Sequence, residues 1–237
     1  MKKLSALLAG TALMLAFSTS SYAIPMTLAL TDATNTVTVT DGESTPYLDS
    51  NPVAGAITYA GGNGVWEPYD VQTGLSKPAL QNTHTLAQMQ LNFSATSTSS
   101  NKNQTLKITL TDDGFKLIPS KGTATFSISG SASSGSTVLY QIYLDGILLG
   151  SKTFNGSGAI TAPGSFSFTS AKIPVTPLSS SFDLEEVITI TNSKAATASG
   201  NAYLNVSAVP EPGTMMLLGV GMFGMAIYGK RRMNKEA

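Results

Sequence analysis

The feature that most constrains this chain is a period of two. MTLALT (Met26–Thr31), TVTVT (Thr36–Thr40) and TLKITLT (Thr105–Thr111) each alternate apolar with polar residues. Successive side chains of an extended strand point to opposite faces, so the alternation describes strands with one buried and one wet face. ATFSISG (Ala124–Gly130) does the same, setting Ala124, Phe126 and Ile128 opposite Thr125, Ser127 and Ser129. In VLYQIYLDGILLGSKTF (Val138–Phe154), Asp145-Gly146 separates two apolar runs. Both positions of such a turn must accept positive φ, which marks a hairpin. SFSFT, EVITITN and YLNVS add strands near Ser165, Glu186 and Tyr203. SATSTSSNKNQT (Ser94–Thr105) reads as a polar loop inside one domain, and Asp112-Asp113-Gly114 as a hairpin turn. About ten to twelve short strands with frequent turn residues predict an all-β fold, an antiparallel β-sandwich of jelly-roll-like type.

The two ends break this pattern. Lys2 and Lys3 precede the apolar run Leu4–Phe17, and Ser21 and Ala23 put small residues where a signal peptidase cuts. Residues 1–23 are therefore expected to be a signal peptide, with residues 24–208 as the exported domain. The chain has no cysteine, so that domain relies on a packed core rather than disulfides. Roughly 185 residues are ample for one. Missing thiols also exclude cysteine nucleophiles, iron–sulfur clusters and zinc–cysteine sites.

The formal net charge of zero hides a segregation. Residues 24–208 hold eight lysines, no arginine and twelve acidic residues, a net charge of −4. A mildly acidic domain without arginine lacks the basic face that nucleic acid requires. The positive charge gathers in residues 230–235, as Lys230, Arg231, Arg232 and Lys235.

That cluster closes a segment, residues 209–237, with a distinct order. Pro210 and Pro212 flank Glu211, which holds the backbone extended. Gly213–Gly229 follows, 17 residues without charge. As a helix it would span about 25 Å, the short limit for a transmembrane helix. Positive charge beyond a span marks the cytoplasmic side, which leaves the domain outside. Proline–glutamate–proline, a short span and an arginine-containing cluster together resemble the PEP-CTERM sorting signal of exported proteins in Gram-negative bacteria that make exopolysaccharide. The resemblance implies recognition by an exosortase, with Pro210, Glu211, Pro212, Arg231 and Arg232 as the sorting positions. It also implies anchoring in the inner membrane before processing, and afterwards a place at the cell surface or in the extracellular matrix. TLALTDATNTVTVTDG, LDSNPVAGAITY and GVWEPYDVQTGLSKP resemble exported domains found ahead of such tails, which implies an architecture and no activity.

Few residues offer chemistry. His84 is the single histidine, no GxSxG elbow is present, and no partner set for a triad accompanies it. A glycosidase needs two opposed carboxylates, and sequence alone does not pair Glu67, Asp70, Glu185 and Glu186 in space. The domain therefore reads as non-catalytic. DGESTPYLDSN offers Asp41, Glu43, Asp49 and Asn51, oxygen ligands of the kind Ca²⁺ takes, although strand-end turns use the same letters. Trp66, the single tryptophan, lies near Tyr69 in GGNGVWEPYD. The pair could stack on sugar rings, against the favoured reading of Trp66 as a core residue. The expectation is a structural surface or matrix protein, and the alternative is a carbohydrate-binding module for the producer's own exopolysaccharide.

Overall fold

The computed structural model describes residues 25–33, 35–43, 48–61, 66, 71–77, 79–98, 104–118, 121–155, 164–176, 181–193, 195–209 and 212–233. The signal peptide, Tyr69, Glu67, Asp70, Pro210 and Glu211 lie outside these residues.

Two antiparallel sheets form a sandwich. The first joins β1 (Thr27–Thr31), β2 (Thr36–Thr40), β6 (Gln104–Phe115), β8 (Ser136–Leu144), β9 (Ile147–Asn155) and β12 (Phe182–Asn192) in the order β2-β1-β6-β12-β8-β9. The second joins β3 (Ala56–Ala60), β4 (Val71–Leu75), β5 (Leu86–Ser97), β7 (Gly122–Ala132), β10 (Ser165–Thr169) and β13 (Ala196–Ala208) in the order β10-β7-β13-β5-β4-β3. The short β11 (Ile173–Val175) also pairs with β7. Consecutive strands β5–β6, β7–β8 and β12–β13 sit in different sheets, so the chain crosses the sandwich repeatedly.

Period two does what it should. Leu106, Ile108 and Leu110 of β6 point inward, as do Ala124, Phe126 and Ile128 of β7, and all are buried. The sheets meet through contacts such as the rings of Phe126 and Tyr140, edge to face at 5.6 Å between centroids. Asp145 and Gly146 form the two-residue turn between β8 and β9, with φ of 48 and 74. The side chain of Asp145 steadies this turn by accepting a hydrogen bond from the Asp183 N–H at 2.8 Å.

Two local expectations are corrected. Ser94–Ser97 and Gln104–Thr105 belong to β5 and β6, because Ala95 and Ser97 turn inward between wet Ser94 and Thr96. The polar letters are an outer strand face, and five strands run eleven residues or longer. Asp112-Asp113-Gly114 is a bulge inside β6, not a hairpin turn. Phe182 pairs with Phe115 but Leu184 pairs with Asp112, so β6 carries one extra residue there. Gly114 takes φ 73 at that point.

The two sheets differ in charge. β6, β9 and β12 of the first sheet carry lysines or acids, whereas no strand of the second sheet contains a charged residue.

Beyond β13, α1 (Pro212–Met233) opens on proline, which fits a first helical position because its missing N–H is unpaired there anyway. None of its described side chains belongs to the core, whose described members run from Met26 to Val206. Leu217, Leu218, Met222 and Phe223 are all exposed. Its described side chains reach only to Ala226. Among the described residues no helix is long and apolar enough to cross a membrane. Glycines at 213, 219, 221 and 224 dilute the apolar run.

Candidate functional site

Of the sorting positions, Pro212 starts α1 and Arg231 and Arg232 lie in its last turns. They sit on a segment separate from the core, four residues after the last strand residue in the case of Pro212.

Asp41, Glu43, Asp49 and Asn51 do converge, lining one cleft of about 450 Å³ with Gly42, Leu48, Pro52 and Ala54. The cleft lies where β2, an edge of the first sheet, leads to β3, an edge of the second. The side chains of Asp41, Asp49 and Asn51 are engaged with the chain itself. Asp49 Oδ1 accepts from the N–H groups of Asn51 at 2.8 Å and Thr58 at 3.0 Å. Asp49 Oδ2 accepts from Gly42 at 3.3 Å, and Asp41 Oδ2 from Gly55 at 2.7 Å. Asn51 accepts from the Val53 N–H at 3.1 Å and donates to Thr58 Oγ1 at 3.2 Å. Contacts of this kind stabilise turns, and they tie residues 41 and 42 to residues 49–58. Among the described residues no three histidines or carboxylates are placed to hold a metal ion.

Trp66 is 4% exposed and belongs to the core cluster, bridging to Ser97 at the end of β5. Its ring is closed to solvent, so the sugar-stacking expectation is corrected at this residue: no sugar face can reach it. His84 is exposed in the turn before β5, and its carbonyl accepts from the Ile118 N–H at 2.6 Å.

Two of the carboxylates named in the sequence, Glu186 and Asp112, are buried, which the sequence analysis did not expect. Glu186 and Glu185 are neighbours in β12 and therefore face opposite sides of the sheet, which rules them out as an opposed catalytic pair. Glu186 is fully buried between Leu110 of β6 and Ile142 of β8, its cross-strand partners. The Tyr140 hydroxyl donates to its Oε1. Burial pushes the Glu186 carboxyl up to about 7, and the Tyr140 hydrogen bond offsets part of that. Burial and the Glu186 charge in turn raise Tyr140. The signal was legible: Glu186 is in phase with Leu184, Ile188 and Ile190.

Asp112, the second, sits beside the β6 bulge. It accepts from Ser76 Oγ at 2.6 Å, Lys77 Nζ at 2.9 Å and the Asp113 N–H at 2.8 Å. Lys77 also donates to the Asp113 carbonyl and lies 4.2 Å from the Phe115 ring centre. Nearby, burial and then the charges of Asp145 and Asp113 raise the Asp183 carboxyl, while Lys77 opposes the shift. Both carboxylates are structural, since each is satisfied or sequestered away from any cleft.

Fold and tail together define a β-sandwich protein with a C-terminal sorting segment. Residues 208–232 match the PEP-CTERM protein-sorting motif, and the chain carries that motif. It implies export, membrane anchoring before processing and an exosortase as the processing partner. No curated protein matches the chain by sequence. Among solved structures, the chain is similar to the CBM36-1 domain of a multidomain xylanase from the hindgut metagenome of Trinervitermes trinervoides. That likeness has 13% identity and a TM-score of 0.27, over 50% of this chain and 78% of that one. A cleaved adhesin domain of Lys-gingipain from Porphyromonas gingivalis gives 10% identity and a TM-score of 0.30, over 65% and 98%. TmCBM61, in complex with β-1,4-galactotriose, gives 6% identity and a TM-score of 0.28, over 61% and 90%. Likeness at this level carries nothing about function.

Proposed function

We propose that the chain is a non-catalytic structural component of its producer's cell surface or extracellular matrix, delivered there by its tail. The observation that supports this is the sorting motif at residues 208–232, which follows a sandwich whose buried core members lie between Met26 and Val206. In this reading a signal peptidase removes residues 1–23. The apolar stretch 213–229 then holds the precursor in the inner membrane, with residues 230–235 on the cytoplasmic side. An exosortase engages Pro210-Glu211-Pro212 and releases the domain outward.

The absence of catalysis is supported by the placement of the carboxylates and the histidine. Among the described residues, Glu186 is inside the core, Asp112 is tied to Lys77 and Ser76, and His84 is exposed in the turn before β5.

Fractionation of producing cells tests the reading. The full chain should sediment with the envelope, and a chain lacking residues 213–237 should be released. Equal envelope association of the two forms would overturn it. So would release of reducing sugar from polysaccharide by the purified domain.

A further inference from the structure

The second sheet holds a feature that sorting does not explain. None of its seven strands contains a charged residue, although residues 24–208 carry twenty charges. Charges on sheet surfaces and edges are a common means of keeping β proteins soluble and unpaired. A whole outer face without them calls for another reason.

That face is made of hydroxyls and carboxamides in register. Asn92, Asn201 and Ser129 form one row across β5, β13 and β7, and Gln90, Tyr203 and Ser127 form the next. Tyr203 is the large aromatic of the face, 41% exposed on β13, which lies between β5 and β7. The carboxamides are held by one another: Gln90 Nε2 donates to Asn92 Oδ1 at 3.2 Å. A neighbouring pair, Gln88 and Asn205, is joined across β5 and β13 at 2.7 Å.

We propose that this face binds an uncharged polysaccharide, laid across β5, β13 and β7 with a sugar ring stacked on Tyr203. The inference rests on the surface-or-matrix reading above and names its partner. Sugar hydroxyls both donate and accept, and Ser, Thr, Asn and Gln side chains match them in kind. A charge-free lining lets the polymer settle without stripping water from an ion. An aromatic ring with a polar tip suits the apolar face of a sugar bordered by hydroxyls. An anionic polymer would need cations, and these strands have none. A second copy of the chain would need apolar and aromatic anchors at the centre of the interface, where this face offers one tyrosine among amides and hydroxyls.

Affinity electrophoresis of the domain 24–208 tests this in gels containing dextran, galactomannan, the neutral fraction of the producer's own polysaccharide, or alginate. At least one neutral polymer should retard the wild-type domain. Tyr203→Ala and Asn201→Lys should each weaken that retardation about tenfold, which corresponds to roughly 1.4 kcal/mol. Tyr203 contributes nothing to the core cluster, so its variant should keep the wild-type melting temperature and remain a fair test. Retardation by alginate alone, by none of the polymers, or equally in wild type and both variants overturns the proposal. Sedimentation velocity covers the rival occupant: a dimer abolished by Asn201→Lys would assign the face to a second copy. Failure to bind leaves the surface-or-matrix reading intact. Sugar release in the same samples would overturn the non-catalytic reading, whatever the binding result.

Discussion

The hydroxyl of Tyr140 donates to Oε1 of Glu186 in the middle of the sandwich, and both side chains are wholly shielded from solvent. A buried carboxyl is easier to keep neutral than ionised, and this one is raised to about 7 against a value of 4.5 when free. The folded state therefore holds the Glu186 proton over a range in which the unfolded chain has released it. Its contribution to stability is fully present below about pH 4.5, declines as pH rises, and is lost by about pH 7.

The total involved is on the order of 3 kcal/mol. Denaturant titrations of the domain between pH 4 and 9 should show that decline as a difference between the wild type and Tyr140→Phe/Glu186→Leu. The double variant removes the titrating group and its partner together, so its stability should be flatter across this range and higher at pH 8. Tyr140→Phe alone removes the hydrogen bond that favours the ionised form, and should lower stability at pH 8 by about 1–3 kcal/mol. Parallel pH profiles for wild type and the double variant would contradict the assignment.

Asp112 is a buried carboxylate that has its partners in place. It is 4% exposed and receives Ser76, Lys77 and the Asp113 N–H. Asp112→Ala leaves Lys77 and Ser76 facing a gap, and should cost about 2–4 kcal/mol by thermal unfolding. Ser76→Ala, which removes one donor and leaves the ion pair, should cost about 1 kcal/mol.

Glycines separate packing from backbone strain. Gly130 and Gly200 pair across β7 and β13. A Cβ on Gly130 would meet the Ser199 carbonyl and the Phe166 ring, and one on Gly200 would come within 2.6 Å of the Ser129 carbonyl and 2.9 Å of Phe93. Alanine at either position should therefore destabilise by about 3 kcal/mol or more. Gly146 has open space around it and a φ of 74. Gly146→Ala should cost only about 1 kcal/mol, from backbone strain alone. Melting temperatures of the three variants should rank accordingly.

Much of this architecture is written in the sequence at short range. The alternation in β1, β2, β6 and β7 and the Asp145-Gly146 turn are local signals, and local rules read them correctly. Strand length was less legible. Ser94, Thr96, Gln104 and Thr105 look like loop residues until β5 and β6 are seen to have an outer face. The DDG stretch looks like a turn because a bulge and a turn both use a positive-φ glycine. Pairing between distant strands, such as β6 with β12 or β5 with β13, has no local signature and comes only from the folded topology. The four candidate cation ligands line one cleft, where Asp41, Asp49 and Asn51 are tied to the backbone by hydrogen bonds. Trp66 was legible as core from its size and chemistry, and its burial removes it as a sugar platform. The charge-free second sheet escapes a strand-by-strand reading, because it emerges only once the seven strands are known to share a sheet.

The most direct test of the central claim is the intact mass of the protein recovered from outside the producing cell. A sorted surface component should lack residues 1–23 and should also lack the apolar and basic segment beyond the Pro210-Glu211-Pro212 motif. Replacing the three motif residues by alanine should leave the longer form in the envelope. Recovery of the external protein with residues 213–237 still attached, or unchanged export of the triple-alanine chain, would contradict the account.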